Sequence, residues 1–156
     1  MRRWKRVKIC PNIAGLCLYF GIDDPGGDFP DEPASAADVY GLAAHALTVI
    51  NYKIRLGRGE DYQLGQGVFM KLPSSELPRD VAGALRYIAE CWPVVDAHIE
   101  EVFFNDKEAI AEVLNAGAES FFGLKSSTFA GRQVITIEKA DIDESNVYTM
   151  MLSLVR

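Results

Sequence analysis

Apolar and polar residues alternate at the start of the chain. Lys5, Val7 and Ile9 fall on one side of an extended run and Arg6 and Lys8 on the other, which predicts a strand over 5–10. Pro11 and Asn12 stop it, and residues 13–20 suit a short helix ended by Gly21. The segment DDPGGDFPDEP (23–33) has three prolines and two glycines and reads as a solvated loop. The clearest helical spacing follows. Val39, Leu42, Ala43, Ala46, Leu47, Ile50 and Ile54 share one broad face, Ser35 and Asp38 have capping-box spacing, and Gly57 and Gly59 end the helix.

Residues 61–72 carry turn signals, with a brief strand expected at 68–71, and Pro73, Ser74 and Ser75 break the pattern. A second helix is expected from Leu77 or Pro78, with Val81, Leu85, Ile88 and Ala89 as its stripe. Pro93 either kinks it or opens a new helix. Val94, Val95, His98, Ile99 and Val102 carry the stripe on to Phe103 and Phe104. Asp106 is placed to cap a helix over 107–116 that Gly117 stops. The end of the chain predicts a β-hairpin, with strands around Val134–Ile137 and over 147–155 and DIDES as the turn. The fold expected is mainly α: a small helical bundle with a short N-terminal strand and a C-terminal β-hairpin.

Composition narrows the function classes. The chain has 156 residues and a net charge of −6, so its body is a poor platform for phosphate backbones, and direct DNA binding is not expected. Residues 1–8 are the exception, with Arg2, Arg3, Lys5, Arg6 and Lys8 and no acid. Cys10, Cys17 and Cys91 have neither disulfide-framework nor zinc-site spacing, which predicts buried free thiols in a reducing, cytoplasmic setting. No apolar run approaches the roughly 20 residues of a membrane helix, and none follows the basic start as a signal peptide requires.

Catalytic constellations are missing from the sequence. A P-loop needs G-x-x-x-x-G-K-[ST]; the nearest approach, Gly123-Leu124-Lys125-Ser126, lacks the Gly-Lys pair. The stretch GRGEDYQLGQG (57–67) carries acids where phosphates would sit, and its glycines suit turns with positive φ. His98 and Glu101 can share a helix face, but no further ligand is evident, so no metal site is assigned. Trp92 beside Pro93 reads as core.

One run of motifs carries a resemblance. Asn51 to Ile54 gives Asn-x-x-Ile on a helix, and Leu56-Gly57-Arg58-Gly59 follows as a turn. Next come Leu64-Gly65-Gln66-Gly67-Val68-Phe69, then Pro93-Val94-Val95 and Glu101-Val102-Phe103-Phe104-Asn105-Asp106 closing a helix. In this order and spacing the motifs resemble the C-terminal helical lid of McrB-like AAA+ GTPases, the motor subunits of methylation-dependent DNA restriction. Met1-Arg2-Arg3-Trp4, then Arg6 to Ile9 and Pro11, is similar to the end of that family's AAA+ core. Gln66, Gly67 and Val68 depart from the family's usual His-Ser-Tyr.

The resemblance covers about residues 1–115 and implies a division. Residues 1–22 correspond to the end of the core and a connecting helix, 23–34 to an acidic loop, and 35–116 to the lid. Residues 117–156 form a β-rich extension without a counterpart. It implies Gly65, Gln66 and Phe69 near the nucleotide, and Arg2 and Arg3 acting toward a neighbouring subunit's phosphates. It implies GTP or ATP with Mg in a complete protein and none bound by this chain alone. The implied partners are an AAA+ core, neighbouring ring subunits and an McrC-like protein. The competing expectation is a free-standing acidic interaction module of the immunity or regulatory kind.

Overall fold

A helix of 22 residues, α2 (Ala36–Gly57), organises the molecule. The computed structural model describes residues 11–24 and 26–156. Arg2, Arg3, Cys10 and the strand expected over 5–10 lie outside the described residues. Asp38 Oδ2 accepts from the backbone N–H groups of Ala34 (2.8 Å) and Ser35 (3.2 Å), which fixes the N-terminus of α2 as the Ser35–Asp38 spacing predicts. All seven residues of the expected apolar face are buried. Tyr40, Ala44 and Asn51 are buried as well, so α2 is enclosed on most of its circumference. It packs against α1 (Ile13–Phe20), α3 (Val81–Val102), α4 (Lys107–Val113) and α5 (Val147–Val155). Alanines 43, 44 and 46 leave room for that close approach.

The capping chemistry read from sequence is present at two more places, Gly21 and Asp106, and Asp80 adds a cap that the sequence reading did not assign. Gly21 ends α1 with φ of 70°. Asp80 accepts from Gly83 N–H (3.0 Å) and starts α3 at Val81, later than the Leu77 or Pro78 expected. Asp106 accepts from Ala109 N–H (3.1 Å) and starts α4. That helix stops at Val113, short of Ala116, and Asn115, not Gly117, takes the left-handed conformation (φ 50°).

Of the two readings left open at Pro93, a new helix is excluded: one helix runs through it. An interior proline costs about 3 kcal/mol. Trp92, Val95 and Ile99 are buried on the same side, and each such side chain contributes roughly 1.5–3 kcal/mol. Their burial outweighs the lost hydrogen bond. Val94, expected in the stripe, is instead 48% exposed, and the aromatic pair splits, Phe103 inward and Phe104 outward.

The glycines of the turn after α2 have different reasons. Gly59 has φ of 111°, which favours glycine. Gly57 is helical, and a Cβ there would lie 2.9 Å from the Phe103 ring, so it is a packing glycine. Arg58 between them donates from Nε to the Val102 carbonyl (3.0 Å) at the C-terminus of α3, where a cation is favourable.

The sheet is a two-stranded antiparallel hairpin of β1 (Gly123–Phe129) and β2 (Arg132–Glu138). Ala130 (φ 52°) and Gly131 (φ 76°) form its two-residue turn. The expected C-terminal hairpin is present and the strand expected around Val134–Ile137 lies in β2, but its partner and turn differ from those expected. Its strands are 123–129 and 132–138, and 147–155 is the helix α5. Residues 117–156 are therefore not β-rich throughout. Val147, Met150, Met151 and Leu154 recur at helical spacing and are buried against α2 and α3. Asp143 N–H donates to Asn146 Oδ1 (2.8 Å), and Asn146 Nδ2 donates to the Asp141 carbonyl (2.8 Å). DIDES thus leads into a helix rather than across a hairpin. The brief strand expected at 68–71 is likewise absent, and a 3-10 turn covers Gln66–Phe69.

The acidic loop is tethered at its second half. Tyr148 Oη donates to the Pro30 carbonyl (2.7 Å), and Arg156 pairs with Asp31 (2.8 Å) and donates to the Phe29 carbonyl (3.1 Å). No described helix is long and apolar enough to cross a membrane.

Candidate functional site

The segment 60–80 contains only three short 3-10 turns, yet side chains from the helices hold much of its backbone. Apart from tyrosines, Asn51 is the one buried polar side chain among the described residues. Its Nδ2 donates to the Leu64 carbonyl (2.9 Å), and its Oδ1 accepts from Leu64 N–H (2.7 Å). One amide thereby satisfies both backbone groups of a buried residue, as a strand partner does. The clamp fixes the start of Leu64-Gly65-Gln66-Gly67-Val68-Phe69 to the middle of α2.

Further along, tyrosines take over. Tyr87 Oη donates to the Phe69 carbonyl (2.6 Å) and accepts from Lys71 N–H (2.9 Å). Tyr19 Oη donates to the Leu72 carbonyl and lies 3.0 Å from Tyr87 Oη. Two hydroxyl protons therefore serve three contacts, so the pair shares them. Burial, with the Tyr19 hydrogen bond added, raises the pKa of Tyr87. Tyr40 donates to the Pro78 carbonyl (2.6 Å), and burial pushes its pKa up to about 12. Arg79 donates to the Phe20 carbonyl (2.8 Å), closing the segment against α1.

The residues singled out from sequence occupy distinct places. Phe69 is fully buried beside Phe20 and Trp92, with ring centroids 6.3 and 6.5 Å away. It offers no surface to a nucleotide and serves as the segment's anchor. Gly65 and Gln66 keep partial exposure. Gly65 has φ of −71°, so no left-handed backbone demands glycine there. Gln66 Oε1 accepts from Asn12 N–H (3.0 Å), and Asn12 Oδ1 caps α1 by accepting from Gly15 N–H (2.8 Å). The segment thus meets the chain where the described residues begin. A cleft of about 250 Å³ opens there, lined by residues that include Pro11, Asn51, Tyr52, Arg55 and Gln63. The Arg55 guanidinium stacks over Tyr52 at 5.5 Å.

Elsewhere the groups are structural. Among the described residues, no cluster of three or more His, Cys, Asp or Glu is arranged to hold a metal ion. His98 Nε2 contacts the Tyr62 carbonyl (2.7 Å). Cys17 and Cys91 are buried free thiols, as expected from sequence, and burial raises both pKa values, which keeps the thiolate scarce. Lys139 is held by Asp96 (2.7 Å) and Glu100. Burial works against its charge, but the two carboxylates outweigh that and keep the ammonium protonated. The P-loop imitation at Gly123 to Ser126 is part of β1. The described residues can grip and position a segment.

Sequence pattern missed Tyr19, Tyr40, Tyr87 and Arg79, whose hydrogen-bond partners are distant in the chain. Asn51 did leave a signal: a polar residue on the apolar face between Ile50 and Ile54. No family model matches the chain, and neither the curated proteins nor the solved structures yield a match.

Proposed function

We propose that the chain acts as the lid of a McrB-like AAA+ NTPase, enclosing a nucleotide that a separate core domain binds. The observation that supports this best is the Gln66–Asn12 hydrogen bond, together with the Asn51 clamp on Leu64. Through them the lid segment is tied both to the rigid α2 and to the point where a preceding core would join. A rotation of that core relative to α2 reaches the segment directly. Arg55, beside the same cleft, leaves a cation facing the junction. In the complete motor the core holds GTP or ATP with Mg, and Arg2 and Arg3 reach toward a neighbouring subunit's phosphates. The assembly then works in cytoplasmic DNA restriction or phage defence, with an McrC-like protein as partner.

The purified chain is expected to hydrolyse neither GTP nor ATP, because it lacks a phosphate-gripping loop and an acidic strand for magnesium. Turnover by the chain alone that disappears in Arg3→Ala contradicts the reading.

A second reading is favoured by a different observation. The buried cluster extends from Leu16 to Leu154 and includes α5, so the chain has a core of its own. This suits a free-standing acidic interaction module, and exchanging the chain into a complete motor separates the two.

A further inference from the structure

We propose that β2 pairs antiparallel with β2 of a second copy of this chain about a two-fold axis at Ile135, joining two hairpins into a four-stranded sheet. Among the described residues the sheet has two strands, so the outer edge of β2 has no neighbouring strand there. In a two-residue hairpin the closing pair, here Phe129 and Arg132, exchanges both backbone hydrogen bonds. Alternation along the strand then turns the backbone groups of Val134 and Thr136 toward β1 and those of Gln133, Ile135 and Ile137 outward. None of these three residues has a backbone bond outside the hairpin among the described residues. Edge strands are commonly blunted by proline or a bulge; β2 contains no proline and its seven-pair ladder is unbroken.

The register is self-complementary in three ways. Centred on Ile135, it sets the outward groups of Ile135 against their own copies and those of Gln133 against Ile137, giving six hydrogen bonds with correct parity. It sets Arg132 opposite Glu138 twice, since each lies three residues from the centre. It also extends one apolar ladder across both hairpins, because Leu124 pairs with Ile137 on the face that carries Ile135. Glu138 already receives Lys125 within its own hairpin, so it would sit between two cations. The outer edge of β1 lacks this match. A two-fold centred on Ser126 sets Lys125 against Ser127 and Gly123 against Phe129, and β1 has none of the Val134-Ile135-Thr136-Ile137 run that favours strands. The inference does not depend on the lid reading.

Sedimentation equilibrium of the full chain over about 1–100 μM is expected to show a monomer–dimer equilibrium. Arg132→Glu and Glu138→Arg each raise the dissociation constant about tenfold, and the double variant restores it. Ile135→Pro removes an outward N–H without touching the β1–β2 ladder and abolishes the dimer, whereas Ser126→Pro, on the outer edge of β1, leaves it intact. Circular dichroism melts check that each variant folds, and the charge variants, all at exposed positions, carry the test if Ile135→Pro does not. A chain that stays monomeric throughout, a dimer indifferent to the charge reversals, or one lost in Ser126→Pro but kept in Ile135→Pro overturns the proposal.

Discussion

Asn51→Ala destabilises the chain by about 2–5 kcal/mol in urea titration, because it removes two hydrogen bonds and leaves the buried N–H and C=O of Leu64 unpaired. At roughly 2–4 °C per kcal/mol for a domain of this size, the melting temperature falls by about 10 °C. The asymmetry of the clamp adds a sharper test. Asn51→Asp keeps an acceptor for the Leu64 N–H but aims a buried carboxylate at the Leu64 carbonyl. That carboxyl is favoured when protonated, so its folded pKa lies above the unfolded value of about 3.9. The penalty is full above the folded pKa and shrinks as pH falls toward the unfolded value. The variant should therefore recover stability relative to the parent between neutral and mildly acidic pH. A loss under about 1 kcal/mol for Asn51→Ala would mean that the segment is not held from α2.

Trp92→Ala is expected to cost about 3–5 kcal/mol, the largest effect of a single core truncation here. Trp92 is 1% exposed and touches two parts of the fold at once. Its ring stacks with Phe69, the anchor of the 60–80 segment, and it lines a cavity with Phe122 and Ile142, which lead into and out of the hairpin. Its removal opens space between elements far apart in sequence, and the neighbouring Pro93 limits how α3 can close around it. Trp92→Phe keeps part of the stack and should lose distinctly less. Equal losses for the two substitutions, or a loss for Trp92→Ala within about 1 kcal/mol, would place Trp92 outside the packing that holds the segment.

Helix positions were legible where one side is apolar and a cap is present. The α2 face, the Ser35–Asp38 start, Gly21 and Asp106 all came from local spacing that tertiary contacts reinforce. The end of the chain was not legible in this way. VYTMMLSLV is apolar at nearly every position, so a period of two and a period of 3.6 fit it equally. Met and Leu favour a helix there, and the Asp-Ser-Asn cluster that reads as a turn is also how helices begin. Pro93 left two readings open, a helix that continues through it or a new one, because the burial of Trp92, Val95 and Ile99 that decides for one helix is invisible to a rule about proline alone. Gly57 looked like a turn glycine and is a packing glycine, a distinction that requires Phe103, forty-six residues later. At the candidate site, the order of the motifs located the segment but not its support, since Asn51, Tyr87 and Tyr19 act on backbone groups that no local pattern reveals.

The lid reading is tested most directly by exchange. Residues 11–156, which keep α5 against α2 and α3, are fused in place of the native lid of a McrB-like GTPase, and GTP turnover is measured beside the parent and a lidless core. The account predicts turnover well above that of the lidless core, and its loss when Asn51→Ala frees the segment in the chimera. A chimera that folds and assembles but hydrolyses no faster than the lidless core contradicts the account and leaves the free-standing acidic module as the better description.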